Sequence, residues 1–281
     1  MPSISILTGQ TATGKTEKAV KLAKETNGEI ISADSRQIYT HLDIITGKDR
    51  VEGVSFWGYD LVDPKQIYSS YDFAHYAKDK INDIVKRGKH PIIVGGTYLY
   101  IQELLYGSDQ KGVSPNQELR TKLSGISIGH LQTMLQNTSR VIWEGLNESD
   151  KKNPQRLIRK IEIAQSGQTI SPISKTPNYD LTSYGCFFFK DQKELEETIS
   201  QRVQKRIEQG AENEVKKLLE MGYTKDDPGL KTIGYTQLIK YLEGSISYEK
   251  ALEEWIRSEI QYAKRQKTFM KRDPNLKIKY V

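Results

Sequence analysis

Short apolar runs stand at residues 4–7, 29–33 and 91–94. Each is strand-length and each enters a polar or Gly-rich turn, so each predicts a buried strand. Between them the apolar spacing becomes helical. Ala19, Val20, Leu22 and Ala23 predict a helix ending near residue 25. Phe73, Tyr76, Ala77, Ile81, Ile84 and Val85 predict the buried face of a helix over 71–87, ended by Gly88. Residues 43–58 read as irregular, Asp63-Pro64 as a turn, and 98–106 as a helix. Strands alternating with helices argue for a parallel α/β sheet.

After residue 106 the pattern changes to polar helix formers with few strand signals. Helices are expected over 114–123, with Ser114 as N-cap and Pro115 in the first turn, over 128–135, and over 154–165. In the last of these, Pro154 opens the helix and Gly167 closes it. We read 113–180 as a mainly helical insertion, and 1–112 with 181–281 as the core. The run 185–189 returns the chain to the sheet. Helices are then expected over 194–209, 211–221, 232–243 and 248–272, punctuated by Gly210, Gly222 and Gly244.

The first strand leads into GQTATGKT, which fits the phosphate-loop pattern G-x-x-x-x-G-K-[ST] at every specified position. Gly9 and Gly14 let the backbone curl so that N–H groups converge on one anion. The following helix adds the partial positive charge of its N-terminus. Lys15 can reach a terminal phosphate, and the Thr16 hydroxyl can hold Mg²⁺. The expected fold is therefore a P-loop NTPase-like parallel sheet flanked by helices, with a helical insertion. Its ligand is a polyphosphate or pyrophosphate.

In such sheets ligands sit beyond the carboxyl ends of the strands. Asp34 is the carboxylate at a strand end near the phosphate loop, fit to act as a general base or to hold a metal through water. A turn or helix-cap role is its structural alternative. Gly95 and Gly96 permit close backbone approach, and Thr97 can contact ligand or cap a helix. The third strand ends in these glycines, where an ATPase usually carries an acidic residue. Motor and switch ATPases recede, leaving small-molecule kinases and group transferases.

Composition narrows the setting. The 281 residues carry a formal charge of +6 and no run long enough to span a membrane. The N-terminus lacks a basic segment of the signal-peptide kind. The lone Cys186, in CFFF, is expected as a buried thiol in a reducing cytosol. Residues 151–160 and 263–272 each hold five basic side chains and no acid. Such clusters follow a nucleic-acid backbone or form solvated helix faces.

GQTATGKT, ADSRQIY, YSSYDF, IIVGGTYLY, NPQRLIRKIE, IGYTQLIKYLEGSISYEKA and YAKRQKTF occur in this order. Together they resemble the tRNA dimethylallyltransferase family, also called tRNA isopentenyltransferases, of bacterial type. The resemblance covers nearly the whole chain, most weakly 107–150. It implies a Mg²⁺-dependent transfer of the dimethylallyl group of dimethylallyl diphosphate to the exocyclic amine of the adenine 3′ to the anticodon, with the anticodon stem-loop as macromolecular partner. It also implies a cytoplasmic enzyme without a membrane partner, expected as a monomer. Free AMP as acceptor, or a small-metabolite kinase, are the alternatives.

Carried over by position, the resemblance assigns Gly9, Gln10, Thr11, Ala12, Thr13, Gly14, Lys15 and Thr16 to the diphosphate, with Thr16 on the metal. Asp34, Lys15, Thr97 and Arg202 are implied as catalytic. Asp34, Ser35, Arg36, Gln37 and Thr97 are implied near the target base. Arg120, the stretch Gln155, Arg156, Leu157, Ile158 and Arg159, and the stretch Lys231, Thr232, Ile233, Gly234, Tyr235 and Thr236 are implied as tRNA contacts. Arg257, Lys264 and Lys271 recur every seven residues and are expected on the outer side of the last helix. With Arg156 and Arg159 they are expected to grip the stem-loop from two sides. The chain departs from the family pattern at Thr236, usually Arg; at Glu259-Ile260, usually Thr-Arg; and at Phe269, usually Trp.

Overall fold

A computed structural model of the chain describes residues 2–107, 113, 116–167 and 176–281. They form two compact units: one built from the chain up to Tyr106 and from Thr176 onward, the other from Gly107–Lys175. The first begins with β1 (Ser3–Gly9), α1 (Lys15–Thr26), β2 (Gly28–Ser32), β3 (Phe56–Trp57), α2 (Ser70–Lys86), β4 (His90–Gly95) and α3 (Tyr98–Tyr106). The second holds α4 (Gln117–Leu123), α5 (Ile128–Thr138), α6 (Arg140–Glu144), α7 (Glu148–Lys151) and α8 (Pro154–Gln165). The first unit then resumes with β5 (Asp180–Phe188), α9 (Gln192–Glu208), α10 (Ala211–Glu220), a 3₁₀ turn at Gly229–Lys231, α11 (Tyr235–Leu242), α12 (Tyr248–Met270) and β6 (Lys277–Tyr280).

The six strands lie in the order β3-β2-β4-β1-β5-β6, and every pairing is parallel, as the alternating pattern predicts. Both sheet faces are covered, which is why the strands read as continuous apolar runs. The pleat sorts them. Ile4, Ile6, Ile31 and Ile93 join the larger core with Phe73, Leu105 and Trp255. Leu7, Ile30, Ile92 and Val94 turn the other way, onto Ala19 and Ala23 of α1. Because β4 lies between β2 and β1, the three predicted strand ends are neighbours along one sheet edge.

Differences from the expectations have local causes. The two outermost strands escape the pattern: β3 is two residues long, and β6, KIKY, is wholly exposed and alternates with lysines. Val85 is 40% exposed, so the buried face of α2 is narrower than expected. The helix expected from 232 begins at Tyr235, after Gly234 at φ 95°, where the Gln237 side chain accepts the Gly234 N–H at 2.8 Å. Ser114 and Pro115 lie outside the described residues; α4 is capped by Asn116, which accepts the Leu119 N–H. Among the described residues no helix is long and apolar enough to cross a membrane.

The second unit has its own core of Leu123, Leu131, Leu135, Leu146, Leu157 and Ile161. Beside it Glu162 is buried and accepts a two-pronged bond from Arg120, at 2.6 and 2.9 Å, and another from Arg159 at 2.8 Å.

Candidate active site

The phosphate loop leaves the centre of the sheet. Gly9 has φ 138°, and a Cβ there would lie 2.1 Å from the Phe187 carbonyl, so only glycine fits. Ala12, at φ 66°, holds a left-handed conformation within the loop itself. The Gln10 side chain faces inward. It donates to the Ala263 carbonyl at 3.2 Å and accepts the Phe189 N–H at 2.9 Å, riveting the loop to α12 and to the end of β5. Gln266 of α12 accepts the Thr11 N–H at 2.8 Å and donates to the Gly96 carbonyl at 2.9 Å. A Cβ on Gly96 would meet that amide at 2.2 Å.

The loop forms one wall of a cavity of about 640 Å³. Thr11 to Glu17, Asp34, Arg36, Arg202, Glu259 and Tyr262 are among its lining residues. Arg202 donates to the Thr11 hydroxyl at 2.6 Å. Lys15 donates to the Gln10 carbonyl at 2.5 Å, an acceptor it shares with the Thr13 hydroxyl. Burial first, and next the Arg202 charge, bring the Lys15 pKa down to about 7. An anion in the cavity opposes both influences by favouring the protonated lysine. Thr16 also lines the cavity, where its hydroxyl could serve a cation as a hard oxygen donor.

Opposite the loop, Asp34 follows β2. Its Oδ1 accepts the Arg36 N–H at 2.9 Å, a local turn that leaves the other oxygen uncommitted to backbone. Thr97 holds this turn from behind. Its Oγ1 accepts the Ser35 N–H at 2.9 Å and donates to the Ser35 hydroxyl at 3.1 Å. Thr97 is not among the lining residues, so it positions the Asp34 turn. Arg36 pairs with Glu259 at 2.8 Å and lies 4.2 Å over the Tyr262 ring. Gln37 ties the end of β2 to the loop that follows, accepting from Ser32 at 2.6 Å and donating to the Gly47 carbonyl at 2.7 Å. Glu214 of α10 fixes that loop by accepting the N–H groups of Asp43, Ile44 and Ile45 at 2.9, 2.6 and 3.2 Å.

The remaining sequence-implied residues are dispersed. Tyr235 is fully buried and donates to Glu214 at 2.5 Å, so it supports the loop at 43–45. Gly234 is buried beneath Ile45 and the Trp255 ring, and Ile233 and Thr232 are half-buried. Thr236 hydrogen-bonds the Leu230 and Thr232 carbonyls, each at 3.3 Å, and Lys231 alone in that stretch is exposed. In the second unit, Leu157 is fully buried and Ile158 packs on the same core. Arg120 and Arg159 are engaged by Glu162, Arg159 also reaching the Val113 carbonyl at 2.7 Å. Gln155 and Arg156 are exposed, Arg156 beside Asp150. Arg257 and Lys264 are exposed on α12, and Lys271 is exposed just past its end.

Glu259, Tyr262, Gln266 and Arg206 were missed by the sequence reading. The first three fall on the stripe of α12 that carries buried Trp255, Ala263 and Met270. Polar residues on an apolar helix face are the signal that marks them.

A parallel sheet with an anion loop at the end of a central strand, and cations gathered around it, defines a P-loop protein with a polyphosphate site. Residues 37–273 match the family model described as IPP transferase, and residues 2–57 one described as isopentenyl transferase. The chain belongs to the IPP transferase family. It is 39% identical over 285 residues to the tRNA dimethylallyltransferase of Endomicrobium trichonymphae, covering 97% of this chain and 93% of that protein. The enzyme of the same name from Clostridioides difficile (strain 630) is 37% identical, over 95% and 88% of the two chains. Among solved structures, the tRNA delta(2)-isopentenylpyrophosphate transferase of Staphylococcus epidermidis aligns with a TM-score of 0.72 and 32% identity, over 100% of this chain and 93% of the other. A eukaryotic dimethylallyltransferase solved acting on tRNA aligns with a TM-score of 0.83 and 25% identity, over 100% and 74%.

Proposed function

We propose that this protein transfers the dimethylallyl group of dimethylallyl diphosphate to the exocyclic amine of the adenine 3′ to the anticodon in tRNA, releasing diphosphate. Family membership supports the reaction. The observation that carries the site is one cavity lined both by the phosphate loop and by the strand-end carboxylate Asp34.

In this reading the loop N–H groups, Lys15 and Arg202 hold the diphosphate. As the allylic C–O bond breaks, its electron pair leaves with the diphosphate, and these groups stabilise the growing charge. The amine lone pair forms the new C–N bond, and Asp34 takes the proton the nitrogen gives up. Thr97 keeps the Asp34 turn in place. The target adenine leaves its stack to reach this carboxylate.

Mg²⁺ fits the donor set. Thr16 supplies a hard oxygen, and among the described residues no three acidic, His or Cys side chains gather to hold a cation without the substrate. When bound, the ion would add charge neutralisation at the leaving group. For tRNA, the solvent-facing Arg156, Lys231, Arg257, Lys264 and Lys271 are the proposed phosphate contacts.

The test is donor choice. Dimethylallyl diphosphate supports modification of tRNA, and Lys15→Ala or Thr16→Ala lowers it by roughly 100-fold or more in folded protein. Efficient phosphoryl transfer from ATP to a small metabolite overturns the reading in favour of a kinase.

A further inference from the structure

Arg206 stands one helical turn after Arg202 on α9, and both line the cavity. It is only 8% exposed. Among the described residues its guanidinium makes one hydrogen bond, to the Ile44 carbonyl, and no carboxylate stands at ion-pair distance. Gly47 packs directly against it: a Cβ there would lie 2.1 Å from Nη2. The 43–47 loop, clamped by Glu214, thus closes one side of the guanidinium, and the cavity is its other side. Burial first, and then the charge on Arg202, disfavour its ionised form.

A guanidinium has five N–H donors, and buried cations are ordinarily paired. Here the nearest compensation is distributed, from Glu259 and Asp49, which act on Arg206 through space across the same cavity. A buried cation that shares a wall with a phosphate loop and holds no carboxylate of its own is suited to an anion the protein does not contain. We infer that Arg206 is a second diphosphate-binding guanidinium, acting beside Arg202 to set affinity for the donor and for released pyrophosphate. The inference rests on the diphosphate reading of the cavity. Its rival is an arginine that serves only to hold the Ile44 carbonyl.

Two substitutions separate charge from hydrogen bonding. Arg206→Lys keeps the charge and loses the fork; Arg206→Gln keeps a donor for the loop and loses the charge. Pyrophosphate affinity is measured by calorimetry for both, alongside Lys15→Ala, with thermal stability and the KM for tRNA as controls. The expected result is about 10- to 100-fold weaker binding in Arg206→Gln, partial recovery in Arg206→Lys, and an unchanged KM for tRNA. Equal, near-native pyrophosphate affinity in the two variants overturns the inference; if Lys15→Ala still abolishes binding, the diphosphate reading stands without it. Should Arg206→Gln not fold, native affinity in Arg206→Lys overturns it alone, since a lysine cannot reproduce the fork. If the unaltered protein binds no pyrophosphate, the reading and the inference both fall.

Discussion

Gln266 accepts the Thr11 N–H at 2.8 Å, joining the last long helix to the phosphate loop, and with its other amide atom reaches the Gly96 carbonyl at 2.9 Å. One side chain thereby sets the spacing between two of the three strand ends that build the site. Gln266→Ala strands both backbone groups in a buried place. It should lower stability by about 1–3 kcal/mol and raise the KM for dimethylallyl diphosphate. Chemical denaturation and steady-state kinetics measure the two effects. A native KM in the variant means that Gln266 only packs.

Lys15 ties binding to pH. Its pKa in the free protein lies near 7, well below that of an exposed lysine, because burial and Arg202 disfavour its charge. Pyrophosphate favours the protonated form, so binding takes up a proton once pH exceeds about 7. Affinity should then fall by up to about tenfold per pH unit. Pyrophosphate's own titration is common to all variants, so the added slope should vanish in Lys15→Met. Calorimetry in buffers of different ionisation enthalpy counts the proton; no uptake at pH 8 contradicts this placement of Lys15.

Asp34→Asn is a clean probe, since asparagine can still accept the Arg36 N–H that Asp34 accepts at 2.9 Å. The variant should fold and bind pyrophosphate normally. Transfer should drop by roughly 100- to 10,000-fold, the range of a positioned base. Full activity across pH would leave Asp34 as a turn residue.

In the second unit, Arg156 and Arg159 part company. Arg159 bonds buried Glu162 at 2.8 Å, whereas Arg156 is exposed. Arg159→Glu sets a second carboxylate against buried Glu162, and should destabilise this unit by about 2–3 kcal/mol, discounted for the partial exposure of the arginines. Arg156→Glu should spare stability and raise the KM for tRNA, with the gap from the unaltered protein narrowing as salt rises. Reversing both charges together would confuse these effects; denaturation of the single variants separates them.

The central sheet was legible because its covered strands leave uninterrupted apolar runs, and the phosphate loop because its spacing is a requirement of anion binding. Asp34 and Thr97 followed from where strand ends must lie. What stayed hidden depends on long-range partners. Arg120 and Arg159 look like free cations until Glu162 is seen between them. Tyr235 looks like a ligand contact until its hydroxyl is found on Glu214. Glu259 was read as a departure from the family pattern, and only the fold shows that it meets Arg36, 223 positions away. Such pairings leave no local periodicity.

The most direct measurement is incubation of the protein with dimethylallyl diphosphate, Mg²⁺ and unmodified tRNA, followed by mass spectrometry of the nucleosides and mapping of the modified position. The predicted result is a dimethylallyl group on the exocyclic amine of the adenine 3′ to the anticodon, formed far more slowly in Asp34→Asn and Lys15→Ala. Unmodified tRNA, or free AMP prenylated as efficiently as tRNA, would contradict it.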